Sequence, residues 1–503
     1  MTRAGAFAAR VVGWRHAPLA LELLLLGVVL LDFARIVARL IALDSPLHWD
    51  EAVYAVRARS WVEPDAALSG WSYIRPPLLP MLAGLPVLAG GDEWQLRSIG
   101  LLAGVGLLLA AWWLGRMIAG PVAGLLAAAV LHGSPTLQKE SATLLTDVPA
   151  AALLLCVAAL LWWQLEERPS AGAGLVVAAG VAALAFFMRY GSVVALAPML
   201  VVAGLLWWRR LAISRPATIA ALAVGAAVVV AHVAWSVAQT GGPMGILVDA
   251  QNVVSDDPAG VAPSVEYQRY LPFRLAGTVG GWAMRLGSVS LVAFAIAATI
   301  SPPWRRPFRA ALLLVISAGA HLFLVTRGVG HAEERFFVFS AALLVVAGAV
   351  AVAALLRLFP VLVRGALLAA VAVALVLSRG EAVEHSLQRT VETGAYYTQF
   401  EVAGRAIAAA AVPDCGIVGG GDPIMAWYSR CETDRLRLPA DGGPPGQNLE
   451  AEERWAVLFG DPAEIDGADE VVIAIERAAV GAPLRITDPA TGREVAVAWR
   501  LTR

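Results

Sequence analysis

Charge is what this 503-residue chain has little of: 15% of its residues are Asp, Glu, Lys or Arg. An ordinary globular chain carries about 25%. Lysine is nearly absent, with Lys139 standing alone beside 37 arginines. Together with the alanine load, that reflects genomic base composition rather than chemistry. Cysteines number three, and Cys156 lies in an apolar run where packing explains it. The leader of the chain has no small-residue cleavage site of the signal-peptide kind. No repeat of fixed period is evident either.

What fills the chain instead is apolar: 59% of residues are hydrophobic and the mean hydropathy is +0.69. Most of such a chain is not solvated by water. A soluble enzyme, a nucleic-acid binder and a disordered scaffold are thereby excluded. The net charge of −1 gives no long-range pull toward anionic partners, but its distribution is uneven. From Arg379 onward there are 20 acids and 12 bases, a net of −8, while residues 1–378 carry +7. An apolar, mildly basic membrane domain over 1–378 joined to a soluble polar domain over 379–503 follows.

A spanning helix needs about 20 mostly apolar residues. That rule predicts about eleven spans, near 18–40, 98–117, 121–137, 147–164, 171–188, 191–208, 217–237, 279–299, 310–326, 336–356 and 361–378. Arg3, Arg10 and Arg15 precede them without an acid, so the N-terminus is expected in the cytoplasm. An odd number of spans then puts the tail outside. The inner loops agree, with Trp207-Trp208-Arg209-Arg210, Trp304-Arg305-Arg306, Arg357 and Arg364. Two outer loops are long, 41–97 and 238–278, and the first is expected to lie along the interface as short helices.

The tail reads as a small α/β unit. Cys415–Gly419 and Val471–Ile475 are expected as strands and Pro423–Arg430 as a helix. Gly419-Gly420-Gly421-Asp422 reads as a strand-to-helix turn rather than a phosphate loop. Cys415 and Cys431 stand 16 positions apart, open to a bridge if the tail lies outside the cell, where loop closure contributes about 3 kcal/mol.

The ionisable residues gather at the outer boundary of this topology. His48-Trp49-Asp50-Glu51-Ala-Val-Tyr54 follows the first span, and Arg75-Pro76-Pro77-Leu78 closes the first outer loop. Lys139 and Glu140 precede Thr146-Asp147-Val148-Pro149 at the start of span four. Arg189-Tyr190 joins spans five and six, and His331-Ala-Glu333-Glu334-Arg335 opens span ten. Ionisable groups at membrane depth are costly and default to a functional reading. Each group also has a bland reading: Asp147 before Pro149 makes a good helix N-cap, and Arg189 can snorkel. Glu22, Asp32 and His232 are assigned to packing or helix-end pairing.

One chemistry needs this arrangement: transfer of a sugar from a polyprenyl-phosphate carrier. The leaving phosphate gains negative charge in the transition state, which aimed arginines stabilise. The acceptor hydroxyl loses a proton, which an aspartate opposite the leaving group takes. No covalent nucleophile is required, and a single displacement inverts the anomeric carbon. A transporter or flippase of lipid-linked sugars is the alternative, for which inverted repeats and mid-membrane polar groups are expected.

The motifs at Asp50-Glu51, Arg75-Pro76-Pro77-Leu78, Thr146-Asp147-Val148-Pro149 and Glu334-Arg335-Phe336 resemble those of the GT-C class of membrane glycosyltransferases. The resemblance is to the protein O-mannosyltransferase and lipid A aminoarabinose transferase group, and covers about residues 18–378. It implies an all-α polytopic fold with a small extracytoplasmic α/β domain in the cell membrane. Asp50 is implied as the catalytic base, with Glu51 and Asp147 beside it as catalytic carboxylates. Arg75 and Arg189 are implied to bind the carrier phosphate, with Tyr54, Lys139, His331, Glu334 and Arg335 as further substrate contacts. The implied partners are a polyprenyl-phosphate-linked sugar, membrane lipid and a protein, lipid or glycan acceptor. Some relatives use a divalent ion, for which Asp50, Asp147 and His331 have the right chemistry. The arginine supply favours charge neutralisation with no metal and no other cofactor.

Overall fold

In the computed structural model the described residues are 3–43, 45–63, 74–168, 172–249, 265–328, 333–435, 449, 451, 453–459 and 468–501. The chain separates into two compact units. The larger comprises Met1–Leu40, Gly100–Ala142 and Thr146–Leu387; the smaller comprises Ile41–Ile99, Thr143–Leu145 and Gln388–Arg503. The boundary expected at 378/379 falls inside one continuous helix, Val361–Ala410, because that helix runs on as a polar stretch after its apolar half ends. Ile41–Ile99, expected as a loop of the membrane domain, packs with the tail instead.

The helices run in the order α1 (Arg3–Ile41), α2 (Trp49–Val62), α3 (Leu78–Leu88), α4 (Glu93–Ala119), α5 (Pro121–His132) and α6 (Pro135–Ser141). Then come α7 (Asp147–Trp162), α8 (Ala173–Met188), α9 (Ser192–Ile213), α10 (Arg215–Thr240) and α11 (Val265–Ile300). They continue as α12 (Arg305–Ala311), α13 (Ser317–Gly328), α14 (Val338–Leu356) and α15 (Val361–Ala410). Among the described residues, eight helical segments are long and apolar enough to cross a membrane. Every expected span falls on helical segments, but the one expected at 121–137 is broken at Gly133-Ser134, between α5 and α6. The other three are α5 and α8, which are apolar but only 12 and 16 residues long, and α1, whose expected span carries Glu22, Asp32, Arg35 and Arg39. The chain is a multi-pass membrane protein.

Local sequence explains the joints of the larger unit. Gly120, at φ 92°, ends α4, and Pro121 starts α5 where its missing N–H costs nothing. Helix α14 is almost wholly enclosed, and it crosses α11 through paired glycines. A Cβ on Gly287 would strike the Leu344 carbonyl, and one on Gly348 would strike that of Ala283. Small residues thus let two backbones close on each other, as membrane helices require. The awkward charges pair as expected: Glu22 accepts from Trp112 and Arg116, and Asp32 from His132 and Arg379. The arginines of the expected inner loops also find anchors. Arg210 and Arg309 both bind Glu166, Arg306 reaches Glu167 and the Met117 carbonyl, and Arg357 caps Ala119.

In the smaller unit a mixed five-stranded sheet has the order β2-β1-β3-β5-β4. Its strands are β1 (Cys415–Gly419), β2 (Glu432–Arg435), β3 (Glu453–Phe459), β4 (Leu484–Thr487) and β5 (Glu494–Leu501). Strand β1 pairs parallel to β2 and β3, while β5 pairs antiparallel to β3 and β4. A disulfide joins Cys415 to Cys431. Helix α16 (Asp422–Ser429) follows β1 through Gly421, whose φ of 63° suits glycine. Any Cβ there would land on the Phe400 ring. The turn reading of this glycine run therefore holds. Val471–Ile475, expected as a strand, lies instead within α17 (Ala468–Ala478). Its β-branched run was the misleading signal. Val472, Ile475 and Ala479 recur at helical spacing and pack on Trp499 and Leu501 of β5.

Candidate active site

The sequence-derived site residues fall into two groups, one in each unit. In the smaller unit, Asp50 and Glu51 occupy the first turn of α2. Neighbouring helical positions point about 100° apart, so the pair cannot share one task. Asp50 turns toward Arg75, whose Nη2 donates to its Oδ1 at 2.6 Å. Both side chains keep contact with solvent, at 18% and 21% exposure. Tyr54 stands one turn along the same face, and the Arg75 guanidinium lies 5.6 Å from its ring and 5.8 Å from that of Trp49. Pro76 and Pro77, which lead into α3, fix the chain just after Arg75.

Glu51 turns inward and is 1% exposed. Its Oε1 accepts from Arg97 Nε at 3.0 Å and from the Leu144 N–H at 2.7 Å. Its Oε2 accepts from Arg97 Nη2 at 3.0 Å and from the His48 N–H at 2.8 Å. Arg97 in turn donates to the carbonyls of Ser45 and Pro46. Burial alone would raise the Glu51 pKa; the Arg97 charge and these hydrogen bonds outweigh it and hold the carboxyl below its usual range. Every strong acceptor position of Glu51 is engaged by the protein. Arg97 was absent from the sequence-derived set, and the signal for it was an arginine at the start of an apolar span.

Helix α2 is held at its other end as well. Arg59 donates to the carbonyls of Ala426 and Trp427 in the last turn of α16, and its guanidinium lies 3.9 Å from the Trp427 ring centre. A cation at a helix C-terminus meets the carbonyls that lack helical partners. Burial pulls the Arg59 pKa down to about 10, so it stays charged at neutral pH. Trp49 Nε1 adds a hydrogen bond to Asp422 Oδ1 at 3.3 Å. The segment carrying Asp50 is thus fixed at three points.

In the larger unit, Asp147 is not the N-cap expected of it: Thr146 holds that position, and Asp147 is the first residue of α7, with its side chain 5% exposed. It pairs with Arg189, which follows α8 and remains 30% exposed. The Arg189 guanidinium lies 4.8 Å from the Phe336 ring centre. Arg335 is buried and forms an ion pair with Glu333, donating to its Oε1 from Nη2 at 3.1 Å. Lys139 Nζ stands 3.7 Å from Glu140 Oε1. Burial pushes the Glu140 carboxyl up to about 7, Lys139 and Arg335 pull it back, and Asp147 and Glu333 push with burial. Glu334 Oε2 lies at the limit of hydrogen bonding, 3.5 Å, from Thr136 Oγ1. His331 lies outside the described residues. Asp147, Arg189 and Arg335 line one small pocket together with His321, a residue the sequence reading passed over. Among the described residues no three His, Cys, Asp or Glu side chains converge as a metal site.

Residues 75–235 match the family profile described as dolichyl-phosphate-mannose-protein mannosyltransferase. That stretch contains Arg75, Lys139, Asp147 and Arg189. No curated protein matches the chain. Among solved structures, ArnT from Cupriavidus metallidurans in the apo state superposes with a TM-score of 0.61 at 16% identity, over 97% of this chain and 98% of its own. The same protein bound to undecaprenyl phosphate gives 0.56 at 16% identity and the same coverage. The archaeal oligosaccharyltransferase AglB from Archaeoglobus fulgidus, in complex with an inhibitory peptide and a dolichol-phosphate, gives 0.54 at 14% identity, over 93% of this chain and 73% of its own.

Proposed function

Given that this chain has the fold of the GT-C membrane glycosyltransferases, we propose that it transfers a sugar from a polyprenyl-phosphate carrier to an acceptor hydroxyl. The observation that carries this reading is the solvent-reaching pair of Asp50 and Arg75, fixed at the start of α2 by the buried Glu51–Arg97 pair. A family profile naming a lipid-phosphate sugar donor spans Arg75 to beyond Arg189, and one solved neighbour holds undecaprenyl phosphate. Both support a lipid-linked donor.

In the proposed reaction the acceptor oxygen attacks the anomeric carbon and the carbon–oxygen bond to phosphate breaks. The bonding pair leaves with the carrier phosphate, so one displacement inverts the centre. Asp50 takes the acceptor's proton. Arg75 supplies the positive charge that the departing phosphate needs. Glu51 touches no substrate in this scheme; it positions α2, and with it Asp50. Asp147 holds Arg189 in place. Arg75 gives this scheme its charge neutralisation without a divalent ion, and activity that survives a chelator is the expected result.

We place the site on the extracytoplasmic face. The inner-loop arginines collect on Glu166 and Glu167 at the ends of their spans, as the positive-inside rule expects of the cytoplasmic side. A disulfide in the C-terminal domain fits an oxidising compartment. The acceptor is a protein, lipid or glycan hydroxyl.

The test uses purified protein in vesicles with polyprenyl phosphates carrying mannose, glucose, galactose or arabinose. Release of free polyprenyl phosphate is followed for wild type, Asp50→Asn and Arg75→Ala. A wild-type turnover that drops roughly a hundredfold or more in Asp50→Asn is expected for loss of a general base. Transport of intact lipid-linked sugar across the vesicle without cleavage would favour a flippase instead.

A further inference from the structure

His321 sits in α13, inside an apolar span, and is 6% exposed. An ionisable residue in such a place calls for a function, and the reaction above makes no use of it. Its ring is fixed on two sides. Phe339 meets it edge-on, with centroids 5.5 Å apart and planes at 86°. Nδ1 lies 2.6 Å from Ser340 Oγ.

The hydrogen bonds assign the proton. Ser340 Oγ has one hydrogen, and 3.3 Å away stands the Ala318 carbonyl, which only accepts. With that hydrogen given to Ala318, Oγ accepts from Nδ1–H. A neutral imidazole protonated on Nδ1 carries a lone pair on Nε2. Among the described residues Nε2 has no hydrogen-bond partner. His321 lines a pocket of about 20 Å³ whose other walls include Asp147, Arg189, Arg335 and Phe336. That volume holds one water-sized group.

We propose that Nε2 of His321 accepts a hydrogen bond from one hydroxyl of the donor sugar, and that this hydroxyl alone enters the pocket, beside Arg189. The inference rests on the transferase reading and assigns one of its sugar contacts. A hydroxyl suits both sides of the pocket, giving its proton to Nε2 and taking one from a guanidinium. A phosphate oxygen would set its lone pairs against that of Nε2.

The test compares wild type, His321→Ala and His321→Gln on whichever donor sugar is turned over and on its monodeoxy series. Against the full donor, His321→Ala is expected to lower kcat/KM about tenfold, the scale of one hydrogen bond. The same loss is expected with every deoxy donor but one. For that one the variants equal wild type, because the hydroxyl is already gone. Its fluoro analogue, with no proton to give, behaves as the deoxy donor. His321→Gln, which keeps an accepting oxygen, recovers most of the rate and covers the case in which the alanine variant fails to fold. Ser340→Ala, which removes the acceptor that keeps the proton on Nδ1, shows a smaller loss on the same hydroxyl. Equal losses across the whole series would overturn the inference and leave the transferase standing. A wild type silent with every donor would overturn the transferase, and this inference with it.

Discussion

Replacing Glu51 by Gln tests whether this residue positions or reacts. The substitution leaves the shape intact and removes one charge. The new side chain can still offer one oxygen, but its amide nitrogen brings hydrogens to face donors: Arg97 and a backbone N–H at 2.7–3.0 Å. Arg97, with a 4% exposed side chain, is left as a buried cation without its anion. Breaking a buried pair from one side costs about 3–5 kcal/mol, which for a domain of this size shifts an apparent melting temperature by roughly 10 °C. Removing both charges in Glu51→Gln/Arg97→Met should return most of that loss, since the pair itself adds little over apolar packing. The pH dependence has a definite sign. Glu51 titrates below its usual 4.5 in the folded protein, so its contribution is complete above pH 4.5 and disappears only as pH falls through the lower folded value. Thermal unfolding in detergent of the wild type, both single variants and the double variant, from neutral pH down to well below 4.5, reads all of this. A Glu51→Gln protein as stable as wild type but inactive would refute the positioning role and return Glu51 to the chemistry.

Glu140 has the opposite sign: pushed up to about 7 from 4.5 by burial, it favours folding below pH 4.5 and loses that advantage as pH rises to 7. Wild type should therefore lose roughly 3 kcal/mol relative to Glu140→Gln across that interval, measurable by melting both in parallel. Cys415→Ala opens a bridge spanning 16 positions and should cost the C-terminal domain about 3 kcal/mol, seen as faster proteolysis there and reproduced by reductant on the wild type. Gly421→Ala combines a φ of 63° with a Cβ on the Phe400 ring and should destabilise by about 1–3 kcal/mol, whereas alanine at Gly481, with open space around it, costs only the backbone strain of about 1 kcal/mol. Asp50→Asn should bind polyprenyl phosphate several-fold more tightly than wild type while losing turnover, because Arg75 no longer shares its charge with a carboxylate; weaker binding, measured by isothermal titration, would detach Arg75 from the phosphate.

Hydropathy carried most of the fold because a bilayer allows few solutions. Every backbone group must be satisfied within its own segment, so a long apolar run has little choice but helix. Where that constraint lapses, the reading weakens. Val471–Ile475 lies in a domain where both strand and helix can hide apolar residues, and its β-branching points one way while the spacing of Val472, Ile475 and Ala479 points the other. The end of the last span was equally hidden. Composition changes near Arg379, yet α15 continues to Ala410, since nothing between them breaks a helix.

The candidate site was legible as charge in unusual places and illegible as division of labour. A membrane-boundary carboxylate or arginine announces itself, which is how Asp50, Arg75, Asp147 and Arg189 are found. Which of two adjacent acids faces solvent depends on helix phase, and the phase of α2 is set by a hydrogen bond from its own N-terminal backbone to Glu51. The capping spacing of His48 and Glu51 is written in the sequence; the arginine that completes the pair comes from α4, 46 residues away. His321 shows the converse. A lone histidine in an apolar run reads as packing until Ser340, 19 residues on, supplies the partner that orients it. Residues that act singly at a boundary can be read from one chain, and residues that act through a partner on another helix need the fold that brings the partner within reach.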